Sequence, residues 1–286
     1  MVEQLAHTEI NRRRIAEVER CFGASGQPLA LPGRVLLGEG VLTKECRKRA
    51  QPRVFFLFSD ILVYGSIVLS GRRYRAQRVI PLEEVTLEPL PETRQARHRW
   101  LIRTARKSFV VSAASASERQ EWMGHIEEGV RRQLRASGRA PSTEHAAPWV
   151  PDKATDICMR CTHTRFSALT RRHHCRQCGF VVCGDCSRAR VLLPRLAPKP
   201  QRVCGLCYRQ LAAQRRQGEG EGEGAEGGEG GPGAGSPSGA GAGCGVSSGD
   251  EDDDDSDEDK EGGGEGDWPS RVRFYDSGVS WSSFHS

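Results

Sequence analysis

The chain of 286 residues has no long apolar run. A membrane-spanning helix needs about 18 consecutive apolar residues, and no stretch of the sequence approaches that length. The opening residues, MVEQLAHTEINRRR, also lack the apolar core of a signal peptide. We therefore expect a cytoplasmic protein that meets membranes only peripherally.

Two further absences bear on function. No readable motif pairs a nucleophile with a base, so we expect no enzyme. Aromatic residues make up only 6% of the chain, and none of them form a row beside the arginines on which nucleic-acid bases could stack. Nucleic-acid binding is therefore the weaker explanation of the basic residues.

What the sequence does have is charge of opposite sign in two parts of the chain. From residue 217 onward there are three lysines and arginines and 18 acidic residues, a net charge of −15. Because the whole chain carries +5, residues 1–216 carry +20. A body of this charge is attracted to anionic partners, whether lipid, acidic peptide or nucleic acid.

Eight of the eleven cysteines form four Cys-x2-Cys pairs between residues 158 and 207, spaced C-x2-C-x13-C-x2-C-x4-C-x2-C-x17-C-x2-C. Without a secretory signal this pattern indicates metal rather than disulfides, and eight thiolates saturate two tetrahedral Zn²⁺ ions. Neighbouring pairs could share an ion, or the pairs could interleave, and the spacing leaves both arrangements open. The pairs are Cys158/Cys161, Cys175/Cys178, Cys183/Cys186 and Cys204/Cys207.

Residues 34–112 predict an antiparallel barrel or sandwich of about seven strands. Runs such as RVFFLFSDILVYG and KSFVVSAA are apolar or alternating and are separated by turn segments. An amphipathic helix follows as far as about Arg135, and its apolar face, which includes Trp122, would close one end of the barrel. A weaker helical stripe, with Leu5, Ile10, Ile15 and Val18, occupies residues 5–20.

Composition divides the chain into five parts. They are an N-terminal helical extension (1–33), the β domain (34–135), a linker (136–148), the cysteine domain (149–212) and a Gly/Glu-rich and acidic tail (213–286). The tail is expected to be disordered because it buries too little apolar surface to offset chain entropy. Its end, WPSRVRFYDSGVSWSSFHS, regains aromatic residues, so it is either unstructured chain or a short docking motif.

Seven strands followed by a helix that carries a Trp resemble a pleckstrin homology (PH) domain. The resemblance implies a seven-stranded β-barrel or sandwich capped by its C-terminal helix, in an α+β multidomain protein. It also implies phosphoinositide binding through the loop between the first two strands. Lys44 and Arg53 match the basic pattern of that loop, and Gln51 stands where a second basic residue is usual. The alternative is a basic loop that is merely solvated.

The cysteine domain resembles FYVE zinc fingers in three motifs. Residues 149–152 (WVPD) match WxxD, residues 171–179 (RRHHCRQCG) match R(R/K)HHCRxCG, and residues 202–204 match RVC. The resemblance implies two Zn²⁺ ions held by interleaved pairs. One ion would be held by Cys158, Cys161, Cys183 and Cys186, and the other by Cys175, Cys178, Cys204 and Cys207.

The same resemblance implies recognition of phosphatidylinositol 3-phosphate. Guanidinium groups suit bidentate phosphate contacts, while a carboxylate and a histidine would bind the inositol hydroxyls. The carboxylate would also repel a phosphate at the hydroxyl position, which disfavours more highly phosphorylated lipids. The residues concerned are Asp152, Arg171, Arg172, His173, His174, Arg176 and Arg202.

Residues 166–170 (FSALT) occupy the position of the loop that dips into the bilayer in FYVE fingers. Leu169 is the expected inserting residue, whereas Phe166 suits packing within its own small domain. A fully buried leucine contributes about 1.5–3 kcal/mol, so insertion would assist headgroup recognition rather than replace it.

A PH-like domain, a FYVE finger and an acidic tail in this order resemble the Phafin family. The resemblance implies a peripheral adaptor of early endosomes and lysosomes, with roles in endosomal trafficking and autophagy. Its partners would be membranes containing phosphatidylinositol 3-phosphate, a further phosphoinositide or protein at the PH domain, and unidentified proteins, but not nucleic acid. Two weak membrane sites on one chain would act together through effective concentration.

Two other classes of zinc protein are the alternatives. A RING-type ubiquitin ligase needs a histidine ligand shortly after the third cysteine, where this chain has Arg176, Gln177 and Cys178. A nucleic-acid-binding zinc protein would explain the positive body, but here the arginines cluster around one cysteine pair.

Overall fold

The computed structural model describes residues 8–68, 73–94, 96–220 and 272–275, without the side chains of 218–220. The helices are α1 (Glu9–Phe22), α2 (Ala116–Ser137) and α3 (Gly205–Gly220). The strands are β1 (Leu36–Glu45), β2 (Ala50–Phe58), β3 (Ile61–Val68), β4 (Arg73–Pro81), β5 (Thr86–Pro89), β6 (Arg99–Arg103), β7 (Phe109–Ser112), β8 (His173–His174), β9 (Val181–Val182), β10 (Arg190–Val191), β11 (Gln201–Arg202) and β12 (Arg273–Phe274).

The predicted seven-stranded sandwich is confirmed. Its strands pair in the order β4-β3-β2-β1-β7-β6-β5, and every pairing is antiparallel. The helix α2 begins after Ser115, whose hydroxyl accepts a hydrogen bond from the Glu118 amide at 3.2 Å. Trp122 and Ile126 on this helix are fully buried against the strands, so α2 closes the sandwich as the pattern predicts.

The strand β2 is buried on both faces. Successive side chains of a strand point to opposite faces, so Phe55 and Leu57 join one core while Phe56 and Phe58 join another. The second core needs a cover, and α1 supplies it. This explains why the run VFFLF is continuously apolar rather than alternating.

The predicted N-terminal helix is present, and it supplies that cover with Ile15, Val18 and Phe22. The Thr8 side chain caps it by accepting a hydrogen bond from the Asn11 amide. Ile10, which the predicted stripe included, is 63% exposed instead. Leu5 lies outside the described residues.

The finger domain consists of two short antiparallel strand pairs and a helix. The strand β8 pairs with β9 and β10 pairs with β11, and α3 follows directly after β11. Its buried core consists of cysteines together with Val182, Val191 and Val203. The helix α3 runs to Gly220, eight residues beyond the predicted domain end at 212.

The segment between the domains lies against the sandwich. The Ala146 amide donates to the Thr104 carbonyl at 2.9 Å, and the His145 Nε2 contacts the Thr86 hydroxyl at 3.1 Å. Farther along, the Asp152 amide donates to the Arg47 carbonyl at 3.0 Å. These bonds hold the start of the finger beside the loop between β1 and β2.

Residues 272–275 are folded, although they fall in the part predicted as a disordered tail. The strand β12 pairs with β1, and Phe274 packs against Trp122. Of the two interpretations of the chain end, docking motif or unstructured chain, docking describes this segment. The remainder of the predicted tail beyond Gly220, including the acidic run, lies outside the described residues.

None of the helices in the described ranges is both long enough and apolar enough to cross a bilayer.

Candidate phosphoinositide and zinc sites

The eight paired cysteines meet in two groups of four. Within each group the sulfur atoms all lie within 4.8 Å of one another. The two groups interleave along the chain, as the FYVE resemblance implies. The first contains Cys158, Cys161, Cys183 and Cys186, and the second contains Cys175, Cys178, Cys204 and Cys207.

The donor atoms fit Zn²⁺. Four converging sulfurs form the tetrahedral thiolate set of structural zinc sites. Backbone amides also point at the sulfurs: the Cys183 amide donates to Cys158 Sγ at 3.3 Å, and the Cys204 amide donates to Cys175 Sγ at 3.2 Å. Such donors stabilise thiolate charge, so each quartet can hold one zinc ion.

Arg160 links the two quartets, and the sequence analysis did not identify it. It lies between Cys158 and Cys161 of the first quartet, yet its guanidinium donates to Cys204 Sγ at 3.0 Å and Cys178 Sγ at 3.1 Å of the second. Its positive charge offsets part of the −2 formal charge of a tetrathiolate zinc centre. No periodic signal marks this arginine, because its partners are distant in the chain.

The basic motif contributes to a compact group of side chains from two segments of the finger. The Trp149 and His174 rings stack at 4.8 Å, and the Arg176 guanidinium lies 4.3 Å from the centre of the Trp149 ring. His174 is buried, and its Nε2 lies 2.8 Å from the Val150 carbonyl. Burial lowers the pKa of His174, so the neutral ring is favoured and Nε2 donates to that carbonyl. These contacts bring the WxxD segment onto β8.

Asp152 and Arg172 each have a buried polar atom that no hydrogen bond satisfies. Asp152 Oδ1 and Arg172 Nε are among the buried side-chain atoms of the described residues that lack a hydrogen-bond partner. Asp152 Oδ1 lies 3.7 Å from His174 Nε2, and Arg172 lies with its guanidinium 4.9 Å from the centre of the Phe166 ring. An unsatisfied buried acceptor and donor are costly unless a ligand completes them. Asp152 Oδ1 can accept a hydrogen bond from a hydroxyl, and Arg172 Nε can donate one to a phosphate.

The remaining predicted lipid residues lie on the neighbouring strands. Arg171 is exposed just before β8, and His173 is partly exposed on β8. Arg202 lies on β11; its carbonyl accepts from the Arg176 amide at 2.9 Å, and its guanidinium donates to the Ser187 carbonyl at 3.0 Å. Because His174 is covered, His173 is the more accessible of the two histidines.

Arg47 is a second residue that sequence reasoning missed in this site. It belongs to the loop between β1 and β2, yet its Nε donates to Asp152 Oδ2 at 3.0 Å. Its Nη2 donates to the Arg172 carbonyl, also at 3.0 Å. The sandwich therefore contributes a cation directly to the carboxylate of the finger's WxxD motif. The only sequence signal was that Arg47 lies in a basic loop.

Lys44 and Arg53 do not lie in an open basic loop. They are only 1% and 5% exposed. The Lys44 ammonium lies 5.2 Å from the centre of the Phe109 ring, and the Arg53 Nη2 contacts Cys46 Sγ at 3.8 Å. Beside Lys44 is a cavity of about 50 Å³ that both domains line, with Trp149 and Pro151 on the finger side. The two predicted headgroup cations are thus buried on β1 and β2, while Lys48 and Arg49 of the intervening loop are exposed.

Leu169 is 96% exposed. It lies in a tight turn in which the Ser167 amide donates to the Thr170 carbonyl at 3.1 Å and the Ser167 hydroxyl accepts from the Leu169 amide at 3.2 Å. Phe166, at the base of the turn, packs on the cysteine core instead. The turn therefore presents one large apolar side chain to the solvent.

Comparison with known families and proteins supports this organisation. A PH domain matches residues 36–131, and a FYVE zinc finger matches residues 148–213. Human pleckstrin homology domain-containing family F member 1 is 75% identical over 286 residues, which is 100% of both chains. Human family F member 2 is 56% identical over 213 residues, covering 74% of this chain and 86% of the relative. The chicken family F member 2 is 56% identical over 208 residues, covering 73% and 84% of the two chains.

Proposed function

Because this chain belongs to the Phafin family, pleckstrin homology domain-containing family F, we propose that it is a peripheral-membrane adaptor that binds phosphatidylinositol 3-phosphate through its FYVE finger. PH and FYVE domains are non-enzymatic lipid-binding domains, and together they indicate membranes that contain phosphoinositides. The proposed location is the early endosome, with lysosomes as a further site. The proposed cellular roles are endosomal trafficking and autophagy.

The observation that carries the proposal is the pair of unsatisfied atoms, Asp152 Oδ1 and Arg172 Nε. A lipid headgroup carries both kinds of partner, hydroxyls that can donate to Asp152 and a phosphate that can accept from Arg172. Arg171, Arg176 and Arg202 add positive charge on adjoining segments. Several guanidinium groups around one site select for the position of a phosphate rather than for bulk charge.

Asp152 supports the choice of a lipid with a single ring phosphate. A carboxylate accepts hydrogen bonds from hydroxyls but repels a phosphate placed where the hydroxyl should be. Arg47 neutralises only part of the carboxylate's charge, because it bonds to Oδ2 and not to Oδ1. We therefore expect lipids with further phosphates to bind more weakly.

The PH domain is proposed as a second site for a phosphoinositide or a protein. Because Lys44 and Arg53 are buried, a phosphoinositide could reach them only if the residues around them moved. A second weak contact on the same chain would raise membrane affinity through effective concentration.

The experiment is liposome flotation across vesicles that contain phosphatidylinositol, its three monophosphates, or a bisphosphate. The zinc-loaded full chain is compared with Arg172→Ala and Arg176→Ala. A charged hydrogen bond contributes about 1.5–3 kcal/mol, so each variant should bind phosphatidylinositol 3-phosphate vesicles roughly 10- to 100-fold more weakly.

Arg188→Ala is the matched control, because Arg188 is an exposed finger arginine that pairs with Asp185, three residues before it. Measured zinc content shows that each variant keeps its fold. Equal binding to all the vesicles, or undiminished binding by both site variants, would contradict the proposal.

A further inference from the structure

One edge of β1 is divided between two partners. Toward its end β1 pairs with β7, at Thr43 and Lys44. In the part of the chain that the structure describes, the earlier half of the same edge pairs with β12, at Gly38 and Glu39. The sandwich by itself would leave those backbone groups open beside α2. A strand edge of this kind is a template for an extended peptide.

The segment 272–275 fills this edge with both backbone and side-chain contacts. Gly38 lies opposite Phe274 in an antiparallel register, and the Tyr275 amide donates to the Leu37 carbonyl at 2.8 Å. The Phe274 ring packs edge-on against Trp122, with ring centres 5.2 Å apart, and stacks on the His125 ring at 3.9 Å. Main-chain pairing gives such a site affinity, and the side-chain pockets give it specificity.

Alternate side chains of the segment enter different cores. Val272 and Phe274 pack on the core beneath α2, whereas Tyr275 packs on the core beneath α1. The Tyr275 hydroxyl donates to Glu39 Oε1 at 2.8 Å, and the Arg14 guanidinium lies 3.7 Å from the centre of its ring. Burial raises the pKa of Tyr275 to about 12, so the hydroxyl keeps the proton that it donates. Side chains of the segment therefore contact both cores of the sandwich, one on each face of the sheet.

Two glycines make the space for it. A Cβ on Gly38 would overlap the Phe274 ring, and a Cβ on Gly40 would lie 2.8 Å from Val272 Cγ2. Neither glycine has a φ in the left-handed region, so the backbone conformation does not require glycine at either position. Glycine is required at both positions because the docked segment approaches the backbone closely. The groove is therefore shaped for these particular side chains.

We propose that this edge of β1, flanked by Trp122 and His125, is a peptide-recognition site whose ligand is the chain's own segment Val272–Tyr275, bound within the same molecule. The site recognises an extended peptide with an apolar residue, then any residue, then Phe and Tyr. Tethering supplies an effective concentration on the order of millimolar, which is enough for a short strand to stay bound.

The proposal is tested by hydrogen exchange of the zinc-loaded full chain. In the wild type, the Tyr275 amide should exchange slowly. Phe274→Ala removes the aromatic anchor, so protection of that amide should fall by at least about tenfold. Arg273→Ala is the matched control, because Arg273 lies in the same strand with its side chain exposed, and it should keep the protection.

A variant on the other side of the contact separates docking from folding. Gly38→Val should release the segment while the amides of β2 and β3 remain protected, because the three atoms nearest a Cβ at Gly38 all belong to Arg273 and Phe274. A synthetic peptide of residues 268–279, added at millimolar concentration, should also speed exchange at Tyr275, and the same peptide with Phe274→Ala should not.

Varying the protein concentration distinguishes docking within one molecule from docking between two molecules. Protection that stays constant over roughly a hundredfold range of concentration supports binding within the molecule. Protection that rises with concentration would show exchange of the segment between copies and overturn the assignment. A Tyr275 amide that exchanges freely in the wild type, or is indifferent to Phe274→Ala, would overturn the site itself.

Discussion

The sandwich and the finger obtain their stability from different chemistry. The sandwich buries Trp100, Trp122, Phe55 and many aliphatic side chains completely. The finger's core consists of cysteines with a few valines. A module with so little apolar core depends on metal for much of its folding free energy. The same chain therefore combines a domain held by packing with a domain held by ligation.

The two domains also present their basic residues differently. In the sandwich, Lys44 and Arg53 are covered, whereas in the finger Arg171 is exposed beside a turn that exposes Leu169. Positive charge in a loop is therefore a poor guide to a binding site until the loop's neighbours are known. Of the two predicted sets of lipid-binding residues, the finger's set is therefore the more accessible.

The largest effect should come from removing zinc. Metal binding supplies about 10–16 kcal/mol in small zinc-finger peptides, so chelation should unfold the finger and abolish vesicle binding. The sandwich needs no metal, and its β1–β4 amides should stay protected in hydrogen exchange. Chelator already saturated with zinc is the control. Finger amides that remain protected after both ions are lost would refute the contrast between the domains.

The converse change is Trp122→Ala in the zinc-loaded chain. Deleting a fully buried Trp should lower the free energy of unfolding of the sandwich by about 3–5 kcal/mol. Zinc content should stay at two ions per chain, because Trp122 lies outside the finger. Denaturation and metal analysis measure the two quantities. Tyr208→Ala, at a residue 46% exposed, should change neither. Loss of zinc in Trp122→Ala would show that the domains fold as one unit.

A smaller effect is expected from Leu169→Ala. Partial burial of this side chain in a bilayer should contribute about 1–2 kcal/mol, or roughly tenfold in vesicle affinity. Binding of the soluble headgroup, inositol 1,3-bisphosphate, should not change, because no bilayer is present. Leu206→Ala, at a finger leucine 41% exposed, is the control. Equal loss of vesicle and headgroup binding would contradict insertion.

The smallest effect is expected from Arg47→Ala. A partly exposed ion pair contributes about 0.2–1 kcal/mol, so the contact between the domains should loosen only slightly. The Asp152 amide, which donates to the Arg47 carbonyl, should exchange a few times faster. Lys48→Ala, one residue along the loop and exposed, should leave the exchange rate unchanged. An unaltered rate in Arg47→Ala would show that this ion pair does not hold the domains together.

Much of the fold could be predicted because its signals are local. The apolar runs indicated seven strands, and the helical stripe placed Trp122 in the core, as the structure confirms. The burial of Ile15 and Val18 was also predictable, whereas the exposure of Ile10 was not. A helical stripe predicts which face of the helix is buried. The width of that face depends on the surface against which the helix packs.

The candidate sites could be predicted where residues act near one another in sequence. Cys-x2-Cys spacing identified the two cysteine quartets of the finger, and the RRHHCRQCG motif predicts its headgroup residues. Arg160 was missed because its sulfur partners lie 18 and 44 residues away. Arg47 was missed because Asp152 lies 105 residues away, in another domain.

The sequence by itself determined the two domains, the eight metal ligands and the basic motif beside them, because strand period and ligand spacing are properties of short segments. Only the tertiary structure decided which of these residues are accessible and which segments meet. It covered Lys44 and Arg53, brought Arg47 to Asp152, and set Phe274 between β1 and α2. These outcomes depend on packing between distant parts of the chain. The free energy of each such contact depends on how deeply the residues around it are buried.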